Sequence, residues 1–211
     1  LADDSVFDSY PDWAKAFFNG YSDQGAAFLH IAASDPELMK DVDPKRIARL
    51  SKARSRALEH YRERQMSNKH VWCVASVPTA DWARKVFPSL DEAEAIASLW
   101  RAILKAVRAD QADPVAAWKE HGNALKRRIA ILTEARFKAL RYTSGIGTDL
   151  TIALPDRHVW FGGGEECPAG YEVIANMPTE EIFTMPHKDG ANGRIVASLP
   201  LNHNGNLVRG F

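Results

Sequence analysis

Cysteine is scarce in this chain. Cys73 and Cys167 are the two among 211 residues, and they lie far apart with no CxxC pairing. That argues against a disulfide scaffold and fits a reducing cytoplasm. Long apolar runs are missing too, and none approaches the ~20 residues needed to span a bilayer. No basic, then apolar, then small-residue pattern opens the chain, so no secretory signal is read. It begins at Leu1 rather than Met, from which truncation or processing is expected. Neither charge sign is in excess, with 27 Lys+Arg against 27 Asp+Glu. A balanced chain has little pull on nucleic acid or an anionic membrane as its main partner. No internal repeat, G-x-S-x-G elbow, Ser-His-Asp arrangement or H-E-x-x-H pair is found.

What is present is an ordinary packed composition, 45% hydrophobic with six Trp and nine Phe. The length suits one large domain or two small ones. Residues 25–31 (GAAFLHI) and 70–77 (HVWCVASV) are short apolar runs that predict buried strands. Between them Asp43-Pro44 opens a helix, with Asp as cap and Pro at the first turn. Ile47, Leu50, Ala57 and Tyr61 supply its apolar stripe. A strand, a helix and a strand of this size predict a βαβ unit with a parallel sheet.

Thr79 starts a short helix. Ser89 and Glu92 predict a capping box ahead of Ile96, Leu99, Trp100, Ile103 and Leu104. Asp113-Pro114 opens another helix, with Val115, Trp118, Leu125, Ile129 and Leu132 on one face. Gly122 lies on that seam, where a neighbour can approach closely. From Thr143 the pattern changes. Leu150, Ile152 and Leu154 alternate as in a half-buried strand, and strand-like runs follow at 158–161, 171–175, 194–199 and 207–211. The reading is an α/β N-terminal domain over residues 1–142, its earliest part missing, then the start of a sheet-rich α+β domain over 143–211. The sheet stops without a closing helix, as in a unit cut off.

The candidate chemistry centres on Asn176–Pro186, NMPTEEIFTMP. Two adjacent carboxylates sit there in an apolar stretch fenced by prolines. In a strand, neighbours point to opposite faces, so only one of Glu180 and Glu181 faces a given site. On spacing alone the favoured reading has Thr179 capping a short helix, with the glutamates at its positive end. The loop Gly162-Gly163-Gly164 lacks phosphate-cradle spacing and reads as a flexible turn. His187-Lys188-Asp189 has metal-ligand chemistry but reads as a solvated loop. His158, His30, His60, His70, His121 and His203 read as structural or surface residues. Cys73 reads as a small core hydrophobe. Lys45, Arg49, Lys52 and Arg56 form one helix stripe that runs into Glu59 and Glu63, a solvated, ion-paired face.

Six strings occur in one order. They are WCVASVPTADWARKVFP (72–88), LWRAI (99–103), RADQADPVAAW (108–118), GTDLTIALP (147–155), HVWFGG (158–163) and NMPTEEIFTMP (176–186). Together they resemble the thermophilic-type metallo-aminopeptidases, the aminopeptidase T, aminopeptidase S and PepS group, across nearly the whole chain. The resemblance implies an α/β domain followed by an α+β domain holding two divalent metals, Zn, Co or Mn. It implies a hydrolase acting on peptides with a free N-terminus, working as a homodimer. It places a metal ligand at the second Glu of P-T-E-E, here Glu181, and leaves Glu180 pointing elsewhere. The remaining ligands and the catalytic residues are expected beyond the end of this chain, a Glu, a His, a Tyr and a late His-x-Asp pair. His187-Lys188-Asp189 does not correspond to that pair. Metal pairs ~3.5–4 Å apart clamp attacking and leaving groups, which one carboxylate cannot do. The 211 residues alone are therefore expected to be inactive. The rival reading is a non-catalytic assembly or peptide-binding module on the same fold. A nucleotide-binding enzyme built on Gly162–Gly164 is a remote third.

Overall fold

A computed structural model describes residues 3–199, 201–203 and 206–208. A 3-10 turn over Asp4–Asp8 precedes α1 (Asp12–Asp23), β1 (Phe28–Ala32), α2 (Pro44–Ala57), α3 (Glu59–Met66) and β2 (Trp72–Ser76). β1 and β2 pair in parallel, from Phe28 opposite Trp72 to Ala32 opposite Ser76. The strand–helix–strand expectation holds, with the strands slightly shorter than the apolar runs. The expected helix stripe does not run through to Tyr61, because the chain breaks at Leu58 and Tyr61 belongs to α3.

Alternation along β1 sets two different faces. Phe28 and His30 turn toward Tyr61, with rings 5.1 Å apart for Phe28 and a 3.1 Å hydrogen bond between His30 Nε2 and the Tyr61 hydroxyl. Leu29 and Ile31 point the other way and are 65% and 58% exposed. Parallel strands are normally covered on both faces, so this one is bare on one side. Beneath the covered face, buried Ser22 meets His70 Nδ1 at 2.7 Å and accepts a 2.9 Å bond from Arg64 Nε. Burial pushes the His70 imidazole down from its ordinary pKa.

Of the expected basic stripe Lys45, Arg49, Lys52 and Arg56, Arg49 alone is ion-paired among the described residues, joined by Arg46 beside the stripe, and the partners are not those expected. Arg46 reaches Asp4 at 2.5 Å, and Arg49 reaches Asp4 at 3.2 Å and Asp8 at 2.5 Å. The 3-10 turn, not Glu59 and Glu63, faces these arginines.

Three more helices follow, α4 (Ala80–Val86), α5 (Glu92–Ala106) and α6 (Pro114–Ala135). Their starts are written locally. Thr79, Asp91 and Asp113 each accept a backbone N–H, from Trp82, Glu94 and Ala116. The cap of α5 is thus Asp91, and the Ser89–Glu92 box does not form. Asp91 lies closer to the first helical residue, and its carboxylate accepts the orphan donor instead. Ala83, Ala95 and Leu99 form a buried cluster under Trp82, Phe87 and Ile103.

The chain then changes to short strands. β3 (Ala139–Thr143), β4 (Asp149–Ala153), β5 (Phe161–Gly162), β6 (Glu165–Glu166), β7 (Glu172–Val173), β8 (Ile182–Phe183), β9 (Ala191–Arg194), β10 (Leu201–His203) and β11 (Asn206–Val208) follow in order. All pair antiparallel. β4 sits between β3 and β9, β5 pairs β8, β6 pairs β7 and β10 pairs β11. The sheet starts at Ala139, ahead of the change read at Thr143. The run expected over 194–199 is displaced, because β9 ends at Arg194. The run expected over 207–211 lies partly outside the described residues. No helix among the described residues is long and apolar enough to cross a membrane.

Candidate functional site

The segment 176–186 is mounted on the helical part of the molecule. On the edge of β2 away from β1, the Ala175 carbonyl accepts the Val74 N–H at 2.8 Å, and the Val74 carbonyl accepts the Met177 N–H at 2.9 Å. Beyond Met177 the backbone forms no helix. The reading of Thr179 as a helix cap is overturned, because residues 179–181 run without helical bonding into β8. There Ile182 and Phe183 pair with Gly162 and Phe161, and the two Phe rings stack at 5.9 Å.

Gly162 is part of this mount. A Cβ on it would lie 2.5 Å from the Glu181 carbonyl oxygen. Next to it Gly163 has φ +80, and a Cβ there would touch Leu125 at 3.4 Å and approach the Gly122 Cα at 3.9 Å. Glycine is therefore required at 162 by the crowding of the Glu181 carbonyl and at 163 by the left-handed backbone, so the loop is not the flexible turn the sequence suggested. An open groove of about 480 Å³ runs along the same helix face, past Trp118, His121, Lys126, Gly164 and Glu172.

The adjacent glutamates have different surroundings. Glu180 accepts a 2.6 Å hydrogen bond from the Arg108 guanidinium, which holds its carboxyl below the ordinary carboxylate range. His121 Nε2 lies 2.7 Å from the Thr179 carbonyl and 3.5 Å from Glu180. Arg108 also points a nitrogen at His121 Nδ1, 3.2 Å away, and stacks over Trp118 at 5.3 Å. A carbonyl accepts and a guanidinium donates, so these partners select the His121 tautomer with its proton on Nε2. Glu181 is exposed and makes no ion pair among the described residues.

Arg108 reaches this position from an unusual backbone. α5 ends in a Schellman turn, with the Ala109 N–H on the Leu104 carbonyl at 2.8 Å. Arg108 fills the left-handed place in that turn, φ +57, which glycine usually takes. For a residue with a Cβ the left-handed conformation costs about 1–2 kcal/mol. Arg136 at the end of α6 is also left-handed, φ 45, so the conformation alone marks nothing. The contacts of Arg108 are what set it apart.

The other sequence candidates stay outside this arrangement. His187 Nδ1 accepts the Asp189 N–H at 3.3 Å within a turn, and His158 Nδ1 bonds the Pro155 carbonyl at 2.8 Å. His60 pairs Asp23 at 2.7 Å, and His30 and His70 belong to the Tyr61 cluster. The His203 side chain lies outside the described residues. Cys73 and Cys167 are both free thiols, and burial pushes Cys73 up. The sequence left His121 among the structural or surface histidines and Arg108 as the first residue of the 108–118 string, with no role given to either. The Arg108 signal was available only as a charged residue just past a helix end.

Among the described residues no three His, Cys, Asp or Glu side chains gather as a metal site. A catalytic zinc-type centre typically takes about three protein ligands. Glu181 offers one hard oxygen donor, so these residues do not by themselves build the centre that the resemblance implies.

A family model described as thermophilic metalloprotease (M29) matches residues 1–211. Aminopeptidase 2 of Geobacillus stearothermophilus is 46% identical over 210 residues, covering 100% of this chain and 51% of its own length. Aminopeptidase AmpS of Bacillus subtilis (strain 168) is 43% identical over 211 residues, 100% of this chain and 51% of its own. The solved structure of wild-type AmpT from Thermus thermophilus superposes with a TM-score of 0.87 at 37% identity, covering 100% of this chain and 51% of that one. The chain spans about half the length of the curated relatives it matches.

Proposed function

The chain belongs to the thermophilic metalloprotease family (M29), and from that premise we propose that it is part of a metal-dependent aminopeptidase. The intact protein hydrolyses the N-terminal peptide bond of peptides with a free N-terminus. Similarity along the whole chain to proteins named aminopeptidases carries this reading. Divalent Zn, Co and Mn all accept mixed carboxylate and imidazole ligation, and any of them suits the proposal.

Within that activity Glu181 supplies one carboxylate to a metal centre whose other donors lie outside the described residues. Its lack of an ion pair among those residues supports the assignment, whereas Glu180 is engaged by Arg108. An uncommitted carboxylate is available to a cation without first breaking a salt bridge. No chemical step is derived from Glu181 alone.

The test is made on the intact protein with an aminoacyl p-nitroanilide and elemental analysis. Glu181→Ala is expected to lower bound metal and turnover together, while Glu180→Ala lowers bound metal less. The reverse pattern would move the ligand to Glu180. The 211-residue chain on its own is expected to show no metal-dependent turnover, and turnover there would mean that the site is misplaced.

A further inference from the structure

Arg108 occupies a backbone position where glycine is easier, yet its guanidinium contacts Glu180, His121 and Trp118 together. Trp118 is itself held, its indole N–H bonded to the Val107 carbonyl at 2.7 Å. His121 takes the next backbone group, the Thr179 carbonyl. Two consecutive residues of the segment are thus gripped from α5 and α6, one by its main chain and one by its side chain. The following residue is Glu181, whose carbonyl oxygen lies 2.5 Å from where a Cβ on Gly162 would sit. Glu181 stands outside these contacts, exposed and without an ion pair among the described residues, between the gripped pair and β8. With Thr179 and Glu180 held on one side and Ile182 paired in β8 on the other, its backbone has little freedom.

We propose that Arg108 and His121 are positioning residues, a clamp on Thr179 and Glu180 that fixes the direction in which the Glu181 carboxylate is presented. Glu180 is the anchor of this clamp and not a second ligand. The proposal rests on the reading of Glu181 as the functional carboxylate. The contacts of Arg108, and not its backbone conformation, carry this assignment.

Arg108→Gly tests this without threatening the fold, since glycine adopts the same turn with less strain. In the intact protein its thermal midpoint should hold or rise. Amides of residues 179–183 should exchange with deuterium about tenfold faster or more. The Met177 amide, bonded to Val74, should keep its rate. His121→Gln still offers a donor to the Thr179 carbonyl and should keep the original protection, whereas His121→Ala should lose it. Unchanged exchange over 179–183 in both Arg108→Gly and His121→Ala overturns the clamp. A lowered midpoint for Arg108→Gly, with exchange rising along the whole chain, also overturns it and reduces Arg108 to a stabilising residue. Metal content in Glu181→Ala judges the ligand assignment separately: its failure leaves the exchange result standing, and a failed exchange result leaves the ligand standing.

Discussion

Between Asp12 and Ala135 the chain buries Ala14, Leu58, Tyr61, Ala83, Ala95, Leu99 and Leu125, whereas from Ala139 to Leu199 the buried hydrophobics are Leu154, Trp160 and Cys167. The helical region is held by packing. The hairpin region is held by short ladders of a few residue pairs and by what it leans on. Its most consequential segment, 176–183, leans on β2 through Val74, on α6 through His121 and on the end of α5 through Arg108. A region too thin to own a core can still hold a side chain firmly when it is fastened to one that has a core.

The comparison breaks first at Leu125, 1% exposed and in reach of the glycine loop. Leu125→Ala should cost about 2–5 kcal/mol in urea denaturation and loosen both regions in one transition. Two separate transitions would show that the regions stand independently. Gly162→Ala should cost less, about 1–3 kcal/mol. It acts on the hairpin side alone, by forcing β8 off β5, visible as shifted resonances for Phe161 and Phe183 with those of Ala95 and Leu99 unmoved. The smallest effect sharpens the helical side: Asp91→Ala should cost ~1 kcal/mol and Ser89→Ala no more than about 0.5 kcal/mol. Equal losses would return the cap of α5 to Ser89.

Local rules explain which parts were readable in advance. Asp43-Pro44, Thr79 and Asp113-Pro114 mark helix starts because a cap bonds to N–H groups within a turn of itself. The parallel pair β1–β2 was legible from two apolar runs around a capped helix. Ser89 misled because the helix begins two places later than its box requires, with Asp91 as the cap accepting the Glu94 N–H. Gly162 was read as slack because the atom that excludes a side chain there is the Glu181 carbonyl, distant in sequence. Arg108 and His121 were opaque for the same reason, since nothing near either residue announces a partner 72 or 58 residues away. Glu181 itself came from the resemblance. Its spacing alone pointed to a helix that does not form.

The pairing of Val74 with Asn176 has a consequence in time. Fastening the later segment to β2 closes a very long loop, and the equilibrium cost of closure grows only as the logarithm of loop length. The search for such a contact, however, is slow beside the formation of helices. The station of Glu181 thus depends on contacts of long sequence separation, Val74 with Asn176 and His121 with Thr179, and not on local structure alone.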